Sequence, residues 1–331
     1  MTSSPKSVSI EQPRLINALT AGFNSIANHA ILILVPAVLD ILLWFTPRLR
    51  VDGILMPWVD QFIAQFQQIS GSSQEMTLVV RTYLRDLVQN LNLTGAIRSF
   101  PVGIPSLLAG LGESNSPFGE VPVIQIASLG QAVLIVLILF TLGIILGSLF
   151  FIRVASITQD SSRNYNPRRM GWKIGQSLIL TTALFIILAV AIVPGMMIVS
   201  LVSLINSLLG QVAFFFYCFL VFWFAVPWFY AYHGIFVFGL PAVNSVILSL
   251  RVGRMFISKT ASLILIIGLI SQGLNLLWAT PPVSSWLLLI GIAGHAFVST
   301  GLISTTIVYF RQINRVLAML IEMQQNASRT A

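Results

Sequence analysis

Apolar positions dominate long stretches of this chain, and charged positions interrupt them only at wide intervals. From Ile174 to Leu250 there are 77 residues without an acidic or basic side chain. Shorter uncharged runs lie between Arg14 and Asp40, Glu120 and Arg153, and Lys259 and Arg311. A hydrocarbon core of about 30 Å needs roughly 20 apolar residues per helical span. The runs predict six spans, at 29–46, 126–151, 175–197, 212–238, 260–279 and 286–310. The third region stays apolar over 174–209, about 54 Å as a helix. Pro194-Gly195 offers a break there, so 196–209 is left open as part of the third span, an interfacial segment or a re-entrant one.

Shorter patterns fill the remainder. Within the N-terminal segment 1–28, Leu15, Leu19, Phe23 and Ile26 recur at helical spacing behind Pro13, which predicts an interfacial amphipathic helix. In the 47–125 segment, Trp58, Phe62, Phe66 and Ile69 share one face of a first helix. Leu84, Leu87, Val88 and Leu91 share a face of a second, with Gly71-Ser72-Ser73 between them. Residues 94–122, with Pro101, Pro105, Pro117 and Pro122, read as irregular. The predicted fold is therefore all-α. It is a polytopic membrane helix bundle of six transmembrane helices, with amphipathic helices in a long extracytoplasmic loop. A bundle over 126–310 and a cytoplasmic tail over 311–331 complete it.

Charge sets the expected orientation. Hydrophobic residues make up 56% of the chain and charged residues 8%, against about 25% in soluble domains. The formal charge is +8, but the basic residues form no dense patch of the kind nucleic acid requires. With six spans and the N-terminus inside, 13 of the 18 basic residues fall on the inner side. The other five, Arg48, Arg50, Arg81, Arg85 and Arg98, lie in a loop long enough to translocate regardless of charge. A seventh span would carry Arg251, Arg254, Arg311 and Arg315 outside. The expectation is a multi-pass protein of the cell (inner or plasma) membrane with both termini cytoplasmic. A single cysteine, Cys218, excludes an intrachain disulfide and a zinc cluster of several thiolates.

Polar groups inside spans are the candidate functional residues, because burial in lipid is costly. Asp40 lies about 9 Å from the outer end of the first span, within reach of interfacial water or of Arg48 and Arg50. His295 sits mid-span beside Gly291 and Gly294; Gln272 and Asn275 are candidate interhelical hydrogen-bond partners. Gly143 and Gly147 form a GxxxG suited to close helix packing or homodimerisation. Arg163, Arg168, Arg169 and Lys173 are candidate contacts for anionic lipid headgroups. Three histidines on three spans imply no metal site, and no cofactor is expected. HExxH, Walker A, GxSxG and GxGxxG are all missing from the sequence.

Gly22-Phe23-Asn24, Pro36-Ala37-Val38-Leu39-Asp40, Leu43-Trp44 and Pro47-Arg48-Leu49 resemble the opening of uncharacterised bacterial six-span integral membrane proteins. Ser245-Val246-Ile247-Leu248-Ser249-Leu250-Arg251, running on through Arg254, is similar to the same group and to the membrane domain attached to some glycerophosphodiester phosphodiesterases. The resemblance implies a six-span helical fold and transfers no activity. The expected function is non-enzymatic: an accessory, lipid-organising or assembly factor whose partners are the bilayer, including anionic lipids, and a membrane protein or a second copy of the chain. Two alternatives stay open: a small-solute transporter or channel using Asp40 and His295, and an intramembrane lipid-modifying enzyme.

Overall fold

The computed structural model describes residues 14–70, 74–159, 167–225 and 228–330. Helix dominates. Helix α1 spans Leu15–Ala27, and a 3₁₀ turn at Ala30–Ile33 leads into α2, Leu34–Phe45. Strand β1 (Arg48–Arg50) is followed by α3 (Asp52–Ser70), α4 (Gln74–Gln89) and a 3₁₀ stretch at Leu93–Arg98. Three short strands follow: β2 (Asn115–Ser116), β3 (Gly119–Glu120) and β4 (Val123–Gln125). The rest is α5 (Leu129–Ile157), α6 (Pro167–Ile205), α7 (Ser207–Ala225), α8 (Ala231–His233), a π-helical turn at Gly234–Phe238, α9 (Ala242–Met255), α10 (Ile257–Trp278) and α11 (Leu288–Thr330). The strands are an addition to the all-α expectation. β1 pairs in parallel with β4, and β2 with β3 antiparallel.

Four helices are long and apolar enough to cross a membrane: Leu129–Ile157, Arg168–Ile205, Ile257–Trp278 and Leu288–Asn326. Counting two sharply bent pairs, 15–45 and 231–255, as one span each raises the number to six. For the third expected span the structure takes one of the options left open, with residues 196–205 continuing the helix. No break occurs at Pro194: α6 runs on to Ile205, about 58 Å of helix. Proline removes a helix donor, and the Tyr217 hydroxyl of α7 donates to the nearby Ala191 carbonyl at 3.1 Å. The Tyr217 ring lies against Gly195, where a larger residue would clash. Within the expected span 212–238, α7 is described over Ser207–Ala225, and 231–238 is joined to α9 through a 119° bend. Gly239, at φ 72°, supplies the left-handed residue that ends the π turn, and Pro241 precedes α9.

The chain divides into two compact units. One comprises Met1–His29, Phe151–Ile270 and Gly301–Ala331. Here α1 buries Ala18, Gly22 and Ile26. Gly22 meets the backbone of Thr305 on α11, and Phe23 covers Gly301. α6 braces the 231–242 turn: Lys173 Nζ donates to the Phe236 carbonyl (2.6 Å), Gln176 Oε1 accepts from the Ala242 amide (2.7 Å), and Thr181 shares a hydrogen bond with Tyr232 (3.0 Å).

The other unit comprises Ala30–Phe150 and Ser271–Thr300. Its core joins Trp44, Leu108, Leu288 and Ile292. A second cluster joins Val51, Leu93, Ile126 and Ala132, with Ile54, Leu55, Ile135 and Val136 packed on it. The stretch expected to be irregular is largely so beyond Arg98 and still holds buried residues: Val102, Ile104, Ser106 and Leu108 are all inside. Helices α3 and α4 form a hairpin beside it, tied by Arg85 to Asp60 at 2.7 Å.

Candidate functional site

The site is built on one face of α2. Asp40 and Trp44 are four residues apart, and Arg48 stands four further on, just past the helix end. The spacing puts Asp40 and Trp44 on one face of α2, while Arg48 follows in β1 and folds back on the helix end. All three are buried. Each ties down a different part of the segments that follow.

Asp40 has no exposed surface. One carboxylate oxygen accepts from the Ser106 hydroxyl and from the Leu108 amide at 3.1 Å; the other accepts from the Leu107 amide at 3.0 Å. The Ser106 oxygen in turn accepts from the Ala109 amide at 2.9 Å. A carboxylate with several such donors offsets its burial through charge-assisted bonds. The sequence offered Arg48 or Arg50 as partners, and that pairing is corrected. A 3.6-residue period puts position 48 on the right face of α2, but the chain turns into β1 after Phe45, and the guanidinium caps the helix instead.

Arg48 donates to the backbone carbonyls of Leu43 (2.7 Å), Thr46 (3.1 Å), Trp44 (3.2 Å) and Glu113 (2.8 Å). Three of these belong to the last turn of α2 and its exit, where unpaired carbonyls favour a cation. Burial, with positive Arg50 beside it, pushes the Arg48 pKa below the usual arginine value. Arg50 donates to the Gly112 carbonyl at 2.7 Å. Trp44 Nε1 donates to the Val283 carbonyl at 2.8 Å.

The GxxxG of α5 faces the 3₁₀ stretch at Ile97 and the irregular backbone at Gly103. A Cβ on Gly143 would strike the Ile97 carbonyl, and one on Gly147 would sit 2.5 Å from the Gly103 Cα. The small residues permit close approach as expected, but of an irregular chain. Asn92 adds a further pin: its Oδ1 accepts from the Leu49 amide at 3.0 Å, and its Nδ2 donates to the Leu111 carbonyl at 2.9 Å.

His295 and Asn275 meet across α11 and α10, Nδ1 to Oδ1 at 2.8 Å. With the amide oxygen accepting, Nδ1 carries the proton, and Nε2 is a buried acceptor with no protein partner. Trp278, one turn beyond Asn275, lays its ring over Gly294. Arg98 is close enough to act electrostatically on both Asp40 and His295. Gln272 is exposed rather than paired between helices. Arg98, Ser106 and Asn92 were not singled out from the sequence; Ser106 follows Pro105 in a stretch read as irregular.

In the other unit His233 meets Thr306 at 2.8 Å, Nε2 to Oγ1. Tyr230 stacks on Phe310 with ring centroids 5.1 Å apart. Lys173, offered as a headgroup contact, spends a hydrogen bond on Phe236. Arg168 and Arg169 are exposed, and Arg163 lies outside the described residues. Among the described residues no three of His, Cys, Asp and Glu gather as metal ligands. The chain matches no family model, no curated protein and no solved structure.

Proposed function

We propose that this chain is a six-span protein of the cell membrane with both termini cytoplasmic, and that its role is non-catalytic. On this reading it holds the 47–125 segment as a built extracytoplasmic element that organises lipid or seats a membrane partner. The supporting observation is the state of Asp40. The carboxylate that a transporter would need free is engaged by Ser106, Leu107 and Leu108. A charge placed in the membrane is here part of the architecture.

The test is flux. Purified protein in liposomes, under an imposed pH gradient and a potassium diffusion potential, gives traces equal to protein-free vesicles, and Asp40→Asn changes nothing. A proton leak present in wild type and lost in Asp40→Asn would overturn the reading. Reporter fusions after residues 160, 256 and 320 on the cytoplasmic side, and after 100 and 283 outside, test the topology separately.

A second reading, a small-solute transporter or channel, rests on His295. Its Nε2 is a buried acceptor without a hydrogen-bond partner among the described residues, with Arg98 in electrostatic reach. It predicts that His295→Ala abolishes a flux that Asp40→Asn spares.

A further inference from the structure

The α3–α4 hairpin carries two unlike faces. Asp60 and Arg85 meet on one of them. On a helix, a step of two residues is a turn of about 200°. Trp58 and Phe62, two residues either side of Asp60, therefore lie on the opposite face of α3. Tyr83 and Leu87, two either side of Arg85, lie on the opposite face of α4. Ile63 and Val88, each three residues beyond the charged residue and about 60° round the helix from it, are buried; with these positions at the seam of an antiparallel pair, Asp60 and Arg85 share one side of the hairpin and the two apolar stripes the other. Val79 extends the α4 stripe by one turn. Trp58 is 70% exposed, Tyr83 66% and Val79 63%. Ile63 and Val88, on other positions of the same two helices, are buried. The exposed apolar face is thus not the seam that holds the hairpin together.

The root of the hairpin sets its level. Ile54, Leu55 and Leu93 pack with Ala132, Ile135 and Val136. Those last three lie in the first two turns of α5, within about 10 Å of its start at Leu129. α5 is the most apolar of the four long helices, and its outward residues Leu129, Val133 and Leu137 are exposed. The hairpin thus springs from the level at which α5 enters the apolar layer. Aromatic rings mark the same end of α2. Phe118 meets Trp286 at 5.1 Å and Phe45 at 5.4 Å, with Phe118 and Trp286 exposed. Tryptophan and tyrosine favour the bilayer interface, and both occur on the bare face of the hairpin.

From this we infer that the α3–α4 hairpin lies in the outer leaflet, with Trp58, Phe62, Val79, Tyr83 and Leu87 among the acyl chains and the Asp60–Arg85 face toward water. The occupant of the apolar face is lipid. The hairpin widens the footprint of the protein on one leaflet only, in the manner of an interfacial amphipathic helix. The inference rests on the membrane reading above, and the experiment separates the two.

In a Cys218→Ser background, single cysteines at 62 and 83 (apolar face), 64 and 89 (polar side) and 133 and 137 (α5) carry an environment-sensitive fluorophore, in nanodiscs. Quenching by a lipid-borne nitroxide near the headgroup is compared with quenching by aqueous iodide. Labels at 62 and 83 are expected to be quenched severalfold more by lipid nitroxide than by iodide, and labels at 64 and 89 the reverse. Iodide quenching at 62 and 83 equal to that at 64 and 89 would overturn the inference, placing the hairpin in water. So would shielding from both quenchers at 62 and 83 that is relieved on dilution, which would make the occupant a second copy. The labels at 133 and 137 test the premise: if lipid nitroxide does not reach them, the membrane reading itself fails. Each labelled protein is checked against wild type by its thermal midpoint, so a misfolded variant is not scored.

Discussion

Replacing Asp40 by alanine removes the acceptor for three buried donors at once: the Ser106 hydroxyl and the Leu107 and Leu108 amides. Each orphaned group costs about 1–3 kcal/mol. Deleting a buried carboxylate also relieves its desolvation, which offsets part of that loss. A net destabilisation of about 3 kcal/mol follows. The unit that holds Asp40 has roughly 150 residues, and for a cooperative unit of that size each kcal/mol lowers the midpoint by about 2–4 °C. The expected fall is therefore about 6–12 °C. The assay is thermal unfolding in detergent followed by tryptophan emission, because Trp44 and Trp286 report on the same cluster, together with protease sensitivity of 98–122. Asp40→Asn keeps one acceptor and should lose less. Ser106→Ala should cost less in the Asp40→Ala background than in wild type, since the bond the two groups share is already gone and only the Ala109 amide loses its acceptor. An Asp40→Ala protein that keeps the wild-type midpoint and an uncut 98–122 segment would refute the anchoring argument.

Gly147→Leu should be far worse than Gly268→Leu, because Gly147 meets the Gly103 backbone while Gly268 faces open space; overpacking costs about 1–3 kcal/mol or more, read as loss of folded protein on size exclusion. Arg48→Lys keeps the charge but not the fork that reaches four carbonyls, and should lower stability by about 1–3 kcal/mol in the same thermal assay. Trp44→Phe keeps most of the packing, loses the bond to Val283, and should cost about 1 kcal/mol. In a double-mutant cycle, His295→Ala and Asn275→Ala should couple by about 0.5–2 kcal/mol, and strict additivity would mean that the 2.8 Å contact contributes nothing.

Much of the helical skeleton was readable because a helix long and apolar enough to cross a membrane leaves an uncharged run of about 20 residues in the sequence. The runs now occupied by α5, α10 and the first half of α11 stood out as uncharged stretches of suitable length. What failed was the assumption that an apolar run is one element. Residues 212–238 contain no charge, so hydropathy could not register that a π turn precedes Gly239 or that the chain bends sharply into α9. Conversely, Pro194 carried a local signal for a break that α6 overrides, with Tyr217 set against the weak point. The importance of Asp40 was legible from its position alone. Its partners were not, because they lie 66 to 68 residues away in a stretch whose prolines and glycines suggested only irregularity.

That stretch explains why α2 and α5 have the sequences they do. Irregular backbone carries unpaired amides and carbonyls, and beside apolar helices these must be satisfied by protein. The 93–122 segment satisfies part of this need internally, through its 3₁₀ stretch, its turns and the β2–β3 pair, and takes further partners from outside itself. Asp40 takes up amides at 107 and 108, Arg48 and Arg50 take up carbonyls at 113 and 112, and Asn92 takes up the carbonyl at 111. Acceptor and donors are thus matched to opposite needs along six or seven residues. The glycines of α5 serve the same end sterically, letting the 97–103 backbone approach closely enough for van der Waals contact. A charge inside a membrane helix is commonly a mark of transport or catalysis. Here the carboxylate and the guanidiniums are the complement of a loop, and removing any one of them should loosen the same segment.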